Sequence, residues 1–131
     1  MNKKRSAGNQ ESTASKNTAY KTGDTFTSKL FVSGINTPIC VQLLINQPEF
    51  LLGKGDSCDG ILGFNGEISK QHCKIVYNKG EYFIIDLGST NHTFLNQKEL
   101  APNKEYRVHP GDQIRLSTST FLVEEIYSAE G

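Results

Sequence analysis

Residues 73–87 read C-K-I-V-Y-N-K-G-E-Y-F-I-I-D-L and contain two apolar runs on either side of the triplet Asn78-Lys79-Gly80. Short runs rich in isoleucine, valine and aromatic residues are typical of β-strands, and a glycine-containing separator predicts a tight turn between them. The stretch therefore predicts a β-hairpin, and it sets the pattern for the rest of the chain.

Similar short apolar runs, separated by turn-forming residues, continue on both sides of this hairpin. They lie at 29–33, 39–46, 50–52, 93–95, 105–108, 113–117 and 121–126. None of them keeps a helical period of 3.6 residues over ten residues or more. Nine or so short strands joined by tight turns predict an all-β fold, a two-sheet β-sandwich.

The domain organisation follows from composition and length. A chain of 131 residues suits one domain and a short tail. Residues 1–27 are rich in Ser, Thr, Asn, Lys and Gly, and such a segment buries too little apolar surface to offset its ordering entropy. We therefore predict a disordered tail or linker at 1–27, a sandwich domain at 28–127 and a C-terminal tail at 128–131.

Charge and hydropathy exclude several classes of partner. Residues 1–27 have a net charge of +3 and residues 28–131 a net charge of −3. An acidic folded part disfavours nucleic acid, which requires a clustered basic face. The sequence also has no apolar run approaching the roughly 20 residues that a membrane-spanning helix needs. We expect neither nucleic acid nor membrane binding.

The cysteines indicate the compartment. There are three, Cys40, Cys58 and Cys73, with no C-x-x-C pair, which argues against a disulfide framework and against a cysteine-rich zinc site. No secretory signal follows the basic start of the chain, so reduced thiols and a cytoplasmic location are predicted. Because Cys40 and Cys73 fall within predicted strands, we expect both to be small core residues.

Three polar segments stand at the ends of predicted strands. They read G-K-G-D-S at 53–57, S-K-Q-H at 69–72 and G-S-T-N-H-T at 88–93. Loops of a sandwich gather at its two ends, where binding residues usually lie. Collected at one end, these segments would supply two cations, three hydroxyls and an amide, from Lys54, Lys70, Ser69, Ser89, Thr90 and Asn91. That mixture suits a phosphate ester, which needs charge neutralisation and several hydrogen-bond donors.

At these residues the chain resembles the forkhead-associated (FHA) domain family. The resemblance is carried by F-L-L-G-K at 50–54, I-S-K-Q-H-C-K-I at 68–75, D-L-G-S-T-N-H-T-F-L-N at 86–96 and P-G-D-Q-I at 110–114, and it covers roughly residues 28–127. It implies a β-sandwich of two sheets that binds phosphothreonine peptides through loops at one end. Such a module mediates phosphorylation-dependent protein–protein interaction in signalling and is not an enzyme.

The resemblance also assigns roles residue by residue. It implies that Lys54, Ser69 and Lys70 contact the phosphate, that Ser89 or Thr90 adds a hydroxyl, and that Asn91 holds the main chain of the bound peptide. Gly53 and His72 are implied to support the site. No metal or other cofactor is implied, and the expected partner is a phosphothreonine-containing protein or peptide, a kinase substrate, bound by a monomer.

Two departures from the family pattern leave an alternative open. Lys54 stands where the family has arginine and lacks its planar fork, and His92 stands where the family has glycine, at a turn that favours positive φ. The alternative hypothesis is a phosphate-independent interaction domain that has kept the fold but has a degenerate pocket. A hydrolase built on Ser69 and His72 is disfavoured, because the sequence has no nucleophile-elbow motif.

Overall fold

The structure is a computed structural model that describes residues 26–128. The eleven strands of this region confirm the predicted all-β class and lie within the predicted domain at 28–127. They are β1 Lys29–Asn36, β2 Gln42–Ile45, β3 Glu49–Gly53, β4 Gly60–Ile61, β5 Cys73–Asn78, β6 Glu81–Asp86, β7 Thr93–Leu95, β8 Lys98–Glu99, β9 Tyr106–Val108, β10 Gln113–Leu116 and β11 Ser119–Tyr127. Of the predicted tails at 1–27 and 128–131, residues 1–25 and 129–131 lie outside the described residues. Phe26 and Ser128 belong to these predicted tails but contact Tyr77 of the domain.

The strands form two sheets, as predicted. The five-stranded sheet has the order β9-β6-β5-β3-β4, and the six-stranded sheet has the order β2-β1-β11-β10-β7-β8. The predicted hairpin is the centre of the first sheet, with Cys73 paired to Asp86 and Asn78 paired to Glu81. Its turn residues Lys79 and Gly80 both have positive φ, 52° and 85°, the conformation that closes a two-residue hairpin with the twist of its strands.

The core lies between the two sheets. β6 buries alternate side chains, with Tyr82, Ile84 and Asp86 inside. The opposite sheet contributes Leu30, Val123 and other apolar residues to the same cluster. In a strand such as β6, the period of two fixes which residues face the core.

Two sequence expectations require correction. The predicted run at 39–46 shortens to β2, Gln42–Ile45, and Cys40 is exposed instead of belonging to the core. The reason is local: Thr37 Oγ1 donates to the carbonyl of Ile39 at 2.6 Å, which holds 37–39 in a bend that ends before the ladder. The expectation for Cys73 is confirmed, since it is fully buried. Two strands of two residues each, β4 and β8, are too short to produce a sequence pattern.

The strand directions define two poles of the sandwich. β3 ends at Gly53 and β6 ends at Asp86, at the same end of the sandwich where β5 and β7 begin. The three polar loops therefore share one pole. At the other pole the Phe26 ring packs edge-on against Tyr77, with ring centres 5.0 Å apart. The Tyr77 hydroxyl lies 3.1 Å from Ser128 Oγ, so both limits of the described chain meet there. We call the first the loop pole and the second the terminal pole.

Candidate functional site

The first two polar loops are joined by their backbones. The amide of Lys54 donates to the carbonyl of Ser69 at 3.0 Å, and the amide of Gly55 donates to the carbonyl of Lys70 at 3.1 Å. The buried thiol of Cys58 donates to the same Lys70 carbonyl, at 2.9 Å. The loop after β3 is therefore fastened along the loop before β5.

Gly53 makes this close approach possible. A Cβ built at Gly53 would lie 2.2 Å from the carbonyl oxygen of Lys70 and 2.8 Å from that of Ser69. No real side chain tolerates such contacts with backbone atoms, so only glycine allows the two loops to touch here. The supporting role predicted for Gly53 thus has a steric basis.

The third loop joins the first two through Ser69. The amide of Thr90 donates to Ser69 Oγ at 3.1 Å, which brings the 88–93 loop beside the 69–72 loop. Ser69 is half-buried, whereas Lys70, Thr90 and Asn91 are exposed. The structure therefore brings together the three loops that the sequence singled out.

His72 lies behind this junction and is fully buried. Its Nδ1 accepts a hydrogen bond from the amide of Ser69 at 3.0 Å, and its Nε2 donates to the carbonyl of His92 at 2.9 Å. The neutral ring thus connects the second loop to the third. Because Nδ1 is engaged by the Ser69 amide and not by its hydroxyl, the pair is not arranged as a nucleophile and its base.

The protonation state of His72 predicts a pH dependence. Burial lowers the pKa of this imidazole and outweighs the opposing effect of the His92 carbonyl. As the pH falls through about 6.5, the unfolded chain takes up a proton at this position before the folded protein does. The free energy of unfolding should therefore fall as the pH falls from 7.5 to 5.5.

Denaturant midpoints across this pH range measure the effect. His72→Gln, which cannot titrate, should show a flatter dependence of stability on pH than the wild type. Equal slopes for the two proteins would contradict the assignment of a neutral, buried His72.

Asp86 lies beneath the third loop and holds it in place through hydrogen bonds. It is buried, and its Oδ1 accepts hydrogen bonds from the hydroxyls of Ser89 at 2.5 Å and Thr93 at 2.7 Å. Its Oδ2 accepts from the amides of Gly88 at 2.9 Å and Ser89 at 3.2 Å. Burial alone would raise the pKa of this carboxyl, but the bonds from Ser89, Thr93 and the amides outweigh it and hold the pKa below its usual value.

This network places Ser89 differently from the other predicted ligands. Its hydroxyl donates to Asp86 and the residue is buried, so the structure does not bring that hydroxyl to the surface of the loop pole. Thr90 is exposed at the adjacent position. The sequence pattern could not separate the two, because neighbouring hydroxyls in a loop carry no indication of which one turns inward.

Two predicted side chains are held by a segment that the sequence did not single out. Lys54 Nζ donates to the carbonyl of Gly66 at 2.8 Å, and Asn91 Nδ2 donates to the carbonyl of Glu67 at 2.9 Å. A lysine ammonium has three donors and an asparagine amide has two, so both side chains keep donors for a ligand. The loop between β4 and β5 is thus part of the site.

The charge at the loop pole favours an anion. An open concavity is lined by Lys54, Lys70 and the residues beside them, namely Gly55, Asp56, Ser57 and Gln71. Within residues 26–128, neither lysine forms a salt bridge with a carboxylate. Two lysines that form no ion pair with a carboxylate of residues 26–128, beside hydroxyl and amide donors, can neutralise and hydrogen-bond a dianionic group. In the same described region, no cluster of three or more His, Cys, Asp or Glu residues suits a metal ion.

His92 has the positive φ that its position predicts. Its φ is 66°, in the left-handed region that favours glycine. Its ring packs edge-on near Phe94, and its Nδ1 lies 3.4 Å from Glu99 Oε2 on β8. The ring therefore lies over the six-stranded sheet.

Substitution at this position should reveal the backbone strain. We expect His92→Gly to be more stable than His92→Ala by about 1 kcal/mol, because both variants lose the ring contacts but only alanine keeps a Cβ at positive φ. Urea unfolding of the two variants measures the difference. An alanine variant as stable as the glycine variant would contradict a strained backbone at residue 92.

The chain is similar to known proteins in both sequence and structure. The family model described as FHA domain matches residues 50–117. A zeaxanthin epoxidase from Spinacia oleracea is 33% identical over 103 residues, which are 72% of this chain and 15% of that protein. The FHA domain-containing protein DDL from Arabidopsis thaliana is 28% identical over 99 residues, 66% of this chain and 31% of that protein. The chain thus spans a minor part of these relatives.

Solved structures share the fold. The N-terminal FHA domain of Rad53p from S. cerevisiae, in complex with a phosphothreonine peptide, superposes with a TM-score of 0.63 at 21% identity, covering 78% of this chain and 94% of that one. A structure from a study of phosphothreonine-dependent FHA domain interactions superposes with a TM-score of 0.66 at 22% identity, covering 74% and 96%. At these identities the likeness establishes the two-sheet architecture.

Proposed function

The chain belongs to the FHA domain family, and from this premise we propose that its loop pole binds a phosphothreonine-containing segment of a partner protein. The observation that carries the proposal is the convergence of Lys54, Ser69, Lys70, Thr90 and Asn91 on one pole, where neither lysine is paired to a carboxylate of residues 26–128. The Rad53p domain, which has the same architecture, holds a phosphothreonine peptide and supports the proposal.

Each residue has a distinct part in this proposal. A phosphate monoester carries about −1.5 to −2 charges near neutral pH, and Lys54 and Lys70 supply the attraction. The hydroxyls of Ser69 and Thr90 donate to its oxygens. The second amide hydrogen and the Oδ1 of Asn91 are available to bond the main chain of the bound peptide, because the Glu67 carbonyl occupies only one donor of this side chain.

The proposal extends to the setting in which the module acts. We propose a binding module without catalysis of its own, cytoplasmic and monomeric, that serves signalling by recognising the product of a threonine kinase. The long-range charge of two lysines suits a partner that acquires its negative charge by modification.

Removing the Ser69 hydroxyl tests the site directly. Ser69→Ala should weaken binding of a phosphothreonine peptide about tenfold, or about 1.4 kcal/mol, because one donor to a charged oxygen is lost. Ser33→Ala, on β1 of the six-stranded sheet, is the matched control and should leave the affinity unchanged. Fluorescence anisotropy with a degenerate phosphothreonine library and its dephosphorylated copy supplies the measurement.

The same experiment separates the proposal from its alternative. Equal binding of the phosphorylated and dephosphorylated libraries would overturn the proposal and favour a phosphate-independent interaction domain.

A further inference from the structure

The segment Asn65-Gly66-Glu67, here called the 65–67 turn, lies between β4 and β5 and holds two side chains of the proposed site. The carbonyl of Gly66 accepts from Lys54 Nζ, and the carbonyl of Glu67 accepts from Asn91 Nδ2. Lys54 and Asn91 come from different loops, so the position of this one turn determines where both of their polar groups lie.

These bonds orient the two side chains and leave some of their hydrogen-bonding groups available. After donating to Gly66, the ammonium of Lys54 has two hydrogens left, and the amide of Asn91 has one hydrogen and its Oδ1. A ligand at the loop pole therefore meets side chains whose rotamers are already fixed. Fixing a lysine before binding avoids the ordering cost that a free side chain would incur on binding.

The 65–67 turn is itself tethered to the other sheet. Asn65 Nδ2 donates to Thr118 Oγ1 at 3.0 Å and to Ser119 Oγ at 2.9 Å, at the junction of β10 and β11. Glu67 Oε1 accepts from the hydroxyl of Ser117 at 3.1 Å. Within the turn, Asn65 Oδ1 accepts from the amide of Glu67 at 2.9 Å. Asn65 thus closes the turn and fastens it across the sandwich with the same side chain.

The middle of the 65–67 turn has open space around it. A Cβ built at Gly66 would have nothing within 4 Å, so the middle of the turn stands clear of its neighbours. Its backbone makes one local bond, from the amide of Ile68 to the carbonyl of Asn65 at 3.1 Å, and Ile68 is buried in the core. Of the three side-chain hydrogen bonds described between the turn and the 117–119 segment, Asn65 makes two and Glu67 makes one.

We propose that Asn65 is a positioning residue for ligand binding: it places the carbonyls of Gly66 and Glu67, which in turn orient Lys54 and Asn91. The inference rests on the proposed function for its effect on affinity, but the orientation of Asn91 belongs to the free protein. Sequence motifs do not reveal it, because Asn65 acts through backbone carbonyls and not through its own contact with the ligand.

The test compares two asparagines. Asn65→Ala should weaken phosphothreonine-peptide binding about tenfold. Asn96→Ala is the matched control: Asn96 also makes two side-chain bonds across a turn, to Asp112 and Gln113, but at the far end of the short strand β7. It should leave the affinity unchanged even where it lowers the midpoint of unfolding more than Asn65→Ala does. Equal affinity of wild type and Asn65→Ala would overturn the inference.

A double-mutant cycle removes the two hydroxyls that accept the hydrogen bonds of Asn65. Thr118→Ala/Ser119→Ala should weaken binding by a similar factor, and the triple variant should be no weaker than either parent, because all three changes break one link. Independent, multiplying losses would overturn the inference, since they would mean that Asn65 acts by another route.

A measurement on the free protein decides the matter independently of any peptide. The side-chain amide resonances of Asn91 report its hydrogen bond to Glu67, and Asn65→Ala should shift or broaden them while Asn96→Ala leaves them in place. If the wild type binds no phosphopeptide, the proposed function fails while these resonances still test the positioning role. Unchanged Asn91 resonances in Asn65→Ala would refute that role.

Discussion

Asp86→Ala is expected to lower the free energy of unfolding by about 3 kcal/mol. The substitution leaves several buried donors without an acceptor, and an unsatisfied buried donor costs about 1–3 kcal/mol. The carboxylate accepts from two hydroxyls and two amides, and the residue is 1% exposed. Binding should be lost as well, since the amides of Gly88 and Ser89 set the path of the loop that carries Thr90 and Asn91. Chemical unfolding and peptide anisotropy measure the two effects.

Thr93→Val is the matched comparison for this network. It keeps the shape of a buried, β-branched strand residue and removes one of the two hydroxyls that donate to Asp86. It should cost clearly less than Asp86→Ala and leave the loop in place. If Asp86→Ala proved as stable as Thr93→Val, the carboxylate would not be the organiser of the 88–93 loop.

The dependence of the free energy of unfolding on pH in the acid range should also reflect the hydrogen bonds to Asp86. Hydrogen bonding holds the pKa of Asp86 below its unfolded value, so the folded protein gains stability from this carboxylate above the unfolded pKa, about 3.9. The gain should be lost as the pH falls below that value and through the pKa of the folded state.

Gly53→Ala should weaken phosphopeptide binding at least a hundredfold, or about 2.7 kcal/mol. The added Cβ would stand 2.2 Å from the Lys70 carbonyl oxygen, and the obstacle is backbone that cannot rotate away. The loops of Lys54 and Ser69 must then separate, which breaks the two backbone bonds that join them. Overpacking of this kind also costs about 1–3 kcal/mol of stability.

Gly63→Ala supplies the control for this substitution. A Cβ at Gly63 would meet nothing within 4 Å, so the same chemical change should leave both affinity and stability close to the wild type. Titration of a labelled phosphopeptide against both variants measures the contrast. Wild-type affinity in Gly53→Ala would show that the close approach of the two loops is dispensable.

Much of the fold could be predicted because its information is local. A few consecutive residues contain both the turn, at Lys79 and Gly80, and the alternation of β6. The hairpin and the two-sheet class can therefore be predicted from them. The three loops were found because they combine polar residues with strand ends. Cys40 was misplaced because a side-chain bond from Thr37 bends the chain before the ladder begins, which strand patterns do not show.

The parts of the site that escaped prediction depend on contacts between distant residues. The inward turn of Ser89 depends on Asp86, whose two oxygens gather four donors. The tether of Asn65 depends on hydroxyls 53 and 54 positions away, on the other sheet. Such partners are brought together by topology, and no window of neighbouring residues contains both members of either pair.

The packing of Phe26 and Ser128 around Tyr77 has a practical consequence for handling the molecule. Because both limits of the described chain lie at the terminal pole, a dye, an affinity handle or a surface anchor attached at residue 26 or residue 128 would sit behind the domain. Immobilised in this way, every copy would present its loops outward to the medium. The architecture thus lends itself to oriented arrays and to insertion as a cassette between unrelated sequences, with its recognition surface left open.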